Sequence, residues 1–240
     1  REAPRLAAQV GRYAHAKQYR RMKATLKSLR TVVGRVWRDI DRKLDRQNET
    51  QAAKANRILV RVKRLLEQKP KDKNKLYSLH APEVECISKG KARQPYEFGV
   101  KVTVATTHKE GLVVGMRSMP GNPYDGHTLP EAVEQVSILT DRLPKAVFVD
   151  KGYRGVDVPG VTIWRSGQKR GVTSAIKKAI HRRSAVEPAI GHMKNDGRLR
   201  RNWLKGSLGD ALHAVLCGAR HNLRMILRAL RLYFTFLLVG

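Results

Sequence analysis

The sequence contains few cysteines, few acidic residues and no long apolar run. Its 240 residues include two cysteines, Cys86 and Cys217, which are too few for a disulfide framework or a cysteine-based zinc site. The longest apolar run, near residues 232–239, is far shorter than the roughly 18 residues that a membrane-spanning helix needs. No signal peptide is expected, because the first residues begin a helical pattern without a long apolar stretch. The eight histidines form no HxH or HxxxH pair, which argues against a zinc site.

The shortage of acids leaves the chain strongly basic, with 49 Lys and Arg residues against 20 Asp and Glu residues and a formal net charge of +29. A polyanion is therefore the expected partner, because neutralising phosphates releases condensed counterions. The net charge is +16 over residues 1–75, +3 over residues 76–170 and +10 over residues 171–240. This distribution indicates a folded centre with nucleic-acid-binding flanks. An RNA-packing or ribosome-associated protein is the alternative explanation of the charge.

The first 75 residues show the apolar period of helices. Apolar residues from Met22 to Ile40 recur at steps of 4, 3, 4, 3 and 4, and those from Ala55 to Leu66 recur at steps of 4, 3 and 4. A polar turn at residues 47–50 joins the two segments, and the charged stretch 69–75 ends the pattern. Two helices with matching apolar seams and a short connection predict an antiparallel helical hairpin.

The middle of the chain changes to the two-residue period of strands. Residues 96–105 alternate between apolar and polar side chains, and residues 112–119 supply a partner strand. Thr128 and Glu131 then have the spacing of a capping box at the start of a helix, which Pro144 ends. Residues 146–149 form a short apolar run, typical of a buried strand in a mixed or parallel sheet, and residues 161–164 predict a further short strand.

The last third of the chain is predicted to be mainly helical. Residues 173–196 have a helical pattern, with Pro188 as a boundary or a kink. A long apolar-rich helix is expected from Asp210 to about residue 238, with a break near Asn222. Its last turn is so apolar that we expect it to pack against another surface.

Two carboxylates are candidates for chemistry. Asp150 follows the apolar strand 146–149, at the end of a strand where ligands gather in α/β sheets, although a turn-forming role explains it too. Glu187 stands in a basic segment, where it is either half of an ion pair with Arg183 or Lys194, or a metal ligand. Mg²⁺ takes carboxylate oxygens and needs few protein acids placed close together. Asp125, by contrast, is better explained by turn chemistry.

Around these acids the sequence resembles bacterial insertion-sequence transposases of the DDE class. The run from Val149 to Gly155 has the small and aromatic residues that follow the second Asp in that family. Arg183, Glu187 and Lys194 then match the family's spacing of Arg, Glu and Lys. Residues 96–101 and 121–128 are similar to the same family, and the resemblance covers roughly residues 76–230. The sequence departs from the family at Ile180, where a Tyr is usual.

The resemblance implies an α/β fold, a ribonuclease-H-like mixed sheet with flanking helices and a basic helical hairpin inserted before its second strand. We therefore expect the hairpin over residues 1–75, the catalytic core over residues 76–208 and a helical segment over residues 209–240. Asp150 would be the second acid of the catalytic triad and Glu187 the third. The first acid and the first strand are expected to be missing with an N-terminal part, so that activity is impaired.

The implied function is metal-dependent cleavage and strand transfer of insertion-sequence DNA, with Mg²⁺ or Mn²⁺ bound by Asp150 and Glu187. Phosphates would be held by cations on the matching motif and on two nearby loops, namely Arg183, Lys194, Lys151, Arg154, Lys169 and Arg170. The implied partner is double-stranded DNA, as transposon ends and target, in the bacterial cytoplasm at the nucleoid and without a membrane. A homo-oligomer is compatible with this function. The competing hypothesis is a non-catalytic basic DNA- or RNA-binding protein.

The three tryptophans allow two interpretations. Trp37, Trp164 and Trp203 are able to stack on nucleic-acid bases, because the indole ring is flat and apolar. Core packing is the simpler expectation for each of them.

Overall fold

The computed structural model describes residues 2–44, 49–89 and 95–239, which form a mixed α/β structure. The chain divides into two compact units, Arg1–Pro82 and Glu83–Gly240. The helices are α1 (Glu2–His15), α2 (Tyr19–Lys43), α3 (Glu49–Glu67), α4 (Leu129–Thr140), α5 (Ser174–Arg182), α6 (Val186–Asn195) and α7 (Gly206–Val239). The strands are β1 (Glu85–Ser88), β2 (Tyr96–Gly99), β3 (Lys101–Thr106), β4 (Val113–Met119), β5 (Ala146–Val149) and β6 (Thr162–Arg165).

The first unit contains the predicted hairpin, preceded by helix α1. Helices α2 and α3 run antiparallel, since Arg30 donates to the Leu66 carbonyl and the Trp37 indole donates to the Leu59 carbonyl at 2.9 Å. The apolar seam of α2 is not fully covered, because Val36 is 53% exposed. Gly34 lies close to α3 instead: a Cβ there would be 3.9 Å from the Leu66 side chain. Of the predicted turn, residues 47 and 48 lie outside the described residues, whereas residues 49 and 50 already belong to α3.

The second unit begins with two antiparallel strand pairs. Strands β3 and β4 pair with Val104 opposite Met116, so the predicted pairing of these segments is confirmed. The predicted single strand over 96–105 is wrong, because Gly99 adopts a φ of +149° and separates β2 from β3. Strand β2 pairs with β1, with Phe98 opposite Cys86. The alternating pattern did not reveal β1, a strand of four residues.

Strands β5 and β6 form a separate parallel pair, with Phe148 opposite Trp164. The mixed sheet implied by the resemblance would join residues 146–149 to β3 and β4, and this expectation is wrong. The described strands form only two-stranded sheets, and the ladder bonds of β5 go to β6 and the residue after it, such as Ser166 N–H to the Val149 carbonyl at 2.9 Å. A ribonuclease-H-like sheet over the whole unit therefore stays a prediction.

Two apolar clusters hold the second unit together. The first joins α4 to the β5 region, and the second joins α6 and α7 to β4. Gly218 allows α7 to approach β4, because a Cβ there would lie 3.0 Å from the Val113 side chain. The buried members are Leu129, Val133, Val149, Val158 and Val161 in the first cluster and Met116, Met193, Ala214 and Cys217 in the second.

The helix boundaries differ from the predictions before α4 and agree with them near Pro188. The capping box before α4 is not formed, because the Thr128 hydroxyl donates to the Asp125 carbonyl at 2.7 Å and Glu131 forms an ion pair with Arg117 at 3.2 Å. Residues 183–185 form a short 3₁₀ turn between α5 and α6. Pro188 follows within the first turn of α6, where its missing N–H costs no helical hydrogen bond, so the predicted boundary is confirmed.

Helix α7 is continuous from residue 206 to residue 239, so the predicted break near Asn222 is wrong. The Asn222 side chain accepts from the Val113 N–H at 2.7 Å and donates to the Val113 carbonyl at 2.8 Å. It satisfies the backbone groups of the first residue of β4 without disturbing the helix. None of the described helices is long and apolar enough to cross a membrane.

Candidate active site

Asp150 stands exposed at the carboxyl end of β5. One of its carboxylate oxygens accepts the Lys151 backbone N–H at 2.8 Å, and its carbonyl accepts the Tyr153 N–H at 3.2 Å. The turn-forming role considered from the sequence is therefore present. It leaves the second carboxylate oxygen available to solvent or to a ligand.

The loop after Asp150 is fixed by a residue that the sequence analysis did not identify. The Arg165 guanidinium, at the end of the parallel partner β6, donates to the Tyr153 carbonyl at 2.8 Å and to the Val156 carbonyl at 2.6 Å. An arginine that ends a short strand has no distinctive local pattern. Only the parallel pairing of β5 and β6 brings it beside this loop.

Asp125 lies next to the same loop. Its Oδ2 is 3.1 Å from the position that a Cβ on Gly152 would occupy, so the absence of a side chain at residue 152 permits this close approach. Its Oδ1 forms an ion pair with Lys101 at 2.9 Å. Asp125 also begins a short 3₁₀ helix, as its expected turn role requires. The structure thus brings Asp125 beside the loop that follows Asp150.

The Tyr153 hydroxyl lies under the influence of both acids. Burial is the largest cause that raises the pKa of Tyr153, and the charges of Asp150 and Asp125 raise it further. A hydrogen bond with Thr128 and the charge of Arg183 lower the pKa, but they do not outweigh the other causes. The charges of Asp150 at the end of β5, of Asp125 and of Arg183 before α6 thus all influence the pKa of this one hydroxyl.

Glu187 lies in the first turn of α6 and forms an ion pair with Arg183 at 3.0 Å. The side chain of Arg183 is 19% exposed, whereas that of Glu187 is 68% exposed. This ion pair is one of the two interpretations that the sequence allowed. Arg183, whose charge also influences Tyr153, therefore holds the Glu187 carboxylate.

Lys194 does not pair with Glu187. Its Nζ is 3.4 Å from a carboxylate oxygen of Glu97 on β2, and Lys89 binds the same oxygen at 3.2 Å. Burial acts to raise the pKa of Glu97, but the hydrogen bonds and charges of the two lysines outweigh it, and the pKa is lowered. The sequence analysis missed Glu97, because 97 residues separate it from Lys194.

The remaining predicted phosphate-binding cations lie on the surface of two loops. Lys151 passes over the second of these loops, since a Cβ on Gly167 would be 2.8 Å from the Lys151 Cε. Arg154, Lys169 and Arg170 are exposed, and within the described ranges none of them forms an ion pair. Their charge is therefore free to attract an anion.

The donor atoms fit a hard cation in kind, because Asp150 and Glu187 supply carboxylate oxygens, which Mg²⁺ prefers. Within the part of the chain that the structure describes, no three Asp, Glu, His or Cys side chains gather closely enough to hold a metal ion together. The two candidate ligands would thus leave several positions around the ion for water and phosphate.

Comparisons with known proteins agree with the resemblance seen in the sequence. A family model described as "Transposase DDE domain" matches residues 38–219. The match includes Asp150, Glu187 and every predicted phosphate-binding residue. No curated protein and no solved structure matches the chain.

Proposed function

The chain belongs to the transposase DDE domain family, and on this premise we propose that it cleaves and joins insertion-sequence DNA by metal-dependent phosphoryl transfer. The family supports a transposase function with DNA as the substrate. The metal dependence, the residues and the level of activity are our proposal. Double-stranded transposon ends and target DNA in the bacterial cytoplasm, at the nucleoid, would be its partners.

The observation that best supports the proposal is the shared electrostatic influence of two predicted site residues on Tyr153. The charges of Asp150, at the end of β5, and of Arg183, in the turn before α6, act on the same hydroxyl, and Arg183 binds Glu187. Asp150 and Glu187, which are 37 residues apart in sequence, are thus related through Tyr153 and the Arg183–Glu187 ion pair. A structural ion pair alone would explain the contact of Glu187 with Arg183, but it would not explain why the charges of Arg183 and Asp150 influence the same hydroxyl.

Each residue would have a defined role. Asp150 and Glu187 would hold Mg²⁺ or Mn²⁺, which supplies polarisation of the scissile phosphate. Arg183 is a planar fork that can bind a phosphate through two N–H groups when it releases Glu187. The exposed cations at residues 151, 154, 169 and 170 would bind the DNA backbone, whereas Lys194 would first have to leave Glu97. We expect low activity, because two of the three acids implied by the family resemblance are identified.

The test combines a cleavage assay with a metal-binding assay, because low activity alone would not be informative. The chain is incubated with supercoiled DNA and Mn²⁺, and bound Mn²⁺ is measured separately by electron paramagnetic resonance. We expect Asp150→Asn and Glu187→Gln each to abolish nicking and to weaken Mn²⁺ binding about tenfold. DNA affinity should be unchanged in both variants.

The matched control is Asp157→Asn. The Asp157 carboxylate is exposed and accepts the next backbone N–H at 3.0 Å, as Asp150 does, but it lies outside the proposed site. Equal Mn²⁺ binding by the wild type and by all three variants would contradict the proposal. That result, with tight DNA binding and no nicking, would favour the non-catalytic nucleic-acid-binding protein.

We also propose that the chain self-associates. Helix α7 exposes a regular row of apolar side chains, which supports a second copy as its partner.

A further inference from the structure

The segment from residue 198 to residue 205 joins α6 to α7 and exposes an aromatic ring among cations. Trp203 is 63% exposed, so the expectation that it packs in the core is wrong. Arg198, Arg200, Arg201 and Lys205 are also exposed. Among the ion pairs of the described residues, none includes any of these four cations. We name residues 198–205 the Trp203 loop.

The Trp203 loop is anchored on both sides of the tryptophan. Leu199 packs against the apolar cluster between α6, α7 and β4. The Asn202 side chain donates to Asp210 on α7 at 2.7 Å and accepts the Leu204 N–H at 2.8 Å. Because the Asn202 side chain joins Asp210 to the Leu204 backbone across residue 203, the exposed indole is held on a fixed support.

The start of α7 adds to this anchoring. The Gly206 N–H donates to Glu83 at 2.9 Å. Gly209 has no side chain, and a Cβ there would lie 2.9 Å from the Leu204 backbone carbonyl carbon. The loop therefore packs closely against the first turn of α7, and its position depends on a glycine at residue 209.

The Trp203 ring already has one stacked partner. The guanidinium carbon of Arg201 lies 4.5 Å from the ring centroid, a cation–π geometry. A ring with an arginine against it and most of its surface in solvent can accept a second flat group. Nucleic-acid bases are flat groups that stack on aromatic rings, and nearby cations bind the phosphates that accompany them.

We propose that the Trp203 loop is a binding site for single-stranded DNA, in which an unpaired base stacks on Trp203 and the four cations contact phosphates. In duplex DNA the faces of the bases are already covered by their neighbours, so the indole could reach only the backbone. The proposal rests on the proposed transposase function, in which cut strands present unpaired nucleotides to the enzyme. It deepens that function by naming a surface outside the candidate active site.

The experiment compares affinities for a labelled oligothymidylate and for a duplex of the same length by fluorescence anisotropy. We expect Trp203→Ala to weaken binding of the single strand about tenfold and to change duplex binding by less than about twofold. Trp203→Phe, which keeps a ring, should retain most of the affinity. Arg200→Ala should lower the slope of log K against log salt for the single strand by about 0.7.

Two control variants match the changes in size and in charge. Tyr19→Ala removes another exposed aromatic ring, and Arg228→Ala removes another exposed cation outside the loop. Neither substitution should change the affinity for the single strand more than it changes the affinity for the duplex. As a direct readout, the single strand should quench tryptophan emission in the wild type and much less in Trp203→Phe.

The inference is overturned if Trp203→Ala binds the single strand like the wild type, or if it weakens single-strand and duplex binding equally. Because these measurements need neither metal nor cleavage, they fail or succeed independently of the Mn²⁺ and nicking assays. A chain that binds Mn²⁺ at Asp150 but does not distinguish the two DNAs would keep the proposed function and lose this site.

Discussion

At the scale of single residues, Tyr153 is the side chain through which the candidate acids can be examined. Its ring packs against the cluster of Leu129 and Val149, and its hydroxyl is influenced by two carboxylates and an arginine. Neither strand nor helix periodicity marks such a residue. In the sequence, Tyr153 is notable only as the aromatic residue that follows the second Asp of the family pattern.

The raised pKa of Tyr153 leads to a prediction at alkaline pH. The group has a higher pKa in the folded chain than its ordinary value of 10.0, so the neutral form is favoured by folding. This contribution is fully present below pH 10.0 and is lost as the pH rises through the pKa of the folded state. We expect the wild type to lose stability above that pH more steeply than Tyr153→Phe.

The measurement is urea unfolding of both proteins at neutral pH and at pH values above the ordinary tyrosine pKa. Six of the seven tyrosines are present in both proteins, so the difference between the two curves isolates Tyr153. Parallel loss of stability in the two proteins would show that the Tyr153 hydroxyl titrates as it does in water.

At the scale of elements, Asn222 fastens α7 to the start of β4. Its side chain forms two hydrogen bonds with the Val113 backbone, at 2.7 and 2.8 Å. Asn222→Ala would leave a half-buried N–H and carbonyl without these partners, and we expect a loss of about 2 kcal/mol in the free energy of unfolding. The variant Asn195→Ala, at the exposed end of α6, is the matched control and should change stability little.

Denaturant unfolding checks this prediction through the midpoint and the m-value. A lower midpoint with an unchanged m-value is expected for Asn222→Ala, because the exposed surface of the unfolded chain is the same. If the midpoint equals that of Asn195→Ala, water replaces the amide without cost, and α7 is held by the apolar cluster alone.

Sequence periodicity predicted the elements better than it predicted their partners. The antiparallel helices α2 and α3, the β3–β4 pair and the short strand β5 follow from local apolar patterns. The partner of β5 and the Lys194–Glu97 ion pair depend on residues that are distant in the chain, which local patterns do not encode, whereas β1 has only four residues and is too short to show a period. Asp150 and Glu187 are candidates from their positions in the sequence, and the resemblance implies the roles of both and of Arg183. Arg165 and the approach of Asp125 required the three-dimensional arrangement.

At the scale of the whole molecule, helix α7 exposes many large apolar side chains to solvent. Its apolar residues recur at steps of 4, 3, 4, 3, 4, 3 and 4, the repeat of a coiled-coil seam. The large members are each between 45% and 60% exposed. The seam consists of Leu212, Leu216, Ala219, Leu223, Ile226, Leu230, Tyr233 and Leu237.

The area and the charge of this seam suit a second copy of the chain. Seven large side chains that each expose roughly 100 Å² would bury about 1,400 Å² in a pair, and standard interfaces begin at about 1,200 Å². No Asp or Glu follows Asp210 in the sequence. Arg224, Arg228 and Arg231 lie at heptad positions away from the seam and Arg220 flanks it, so the seam itself carries no charged side chain.

The last prediction concerns this association. We expect the wild-type chain to form a dimer at micromolar concentration and Leu230→Glu to be a monomer, because two buried carboxylates would face each other in the seam. Thr235→Glu, which introduces the same carboxylate on the opposite side of α7, should stay dimeric. Light scattering coupled to gel filtration measures the mass of all three proteins. A monomeric wild type, or a dimer that persists in Leu230→Glu, would mean that the exposed face of α7 has another partner. Because the seam lies on the helix that Asn222 and the Trp203 loop join to the core, pairing would bring two candidate DNA-binding surfaces into one particle.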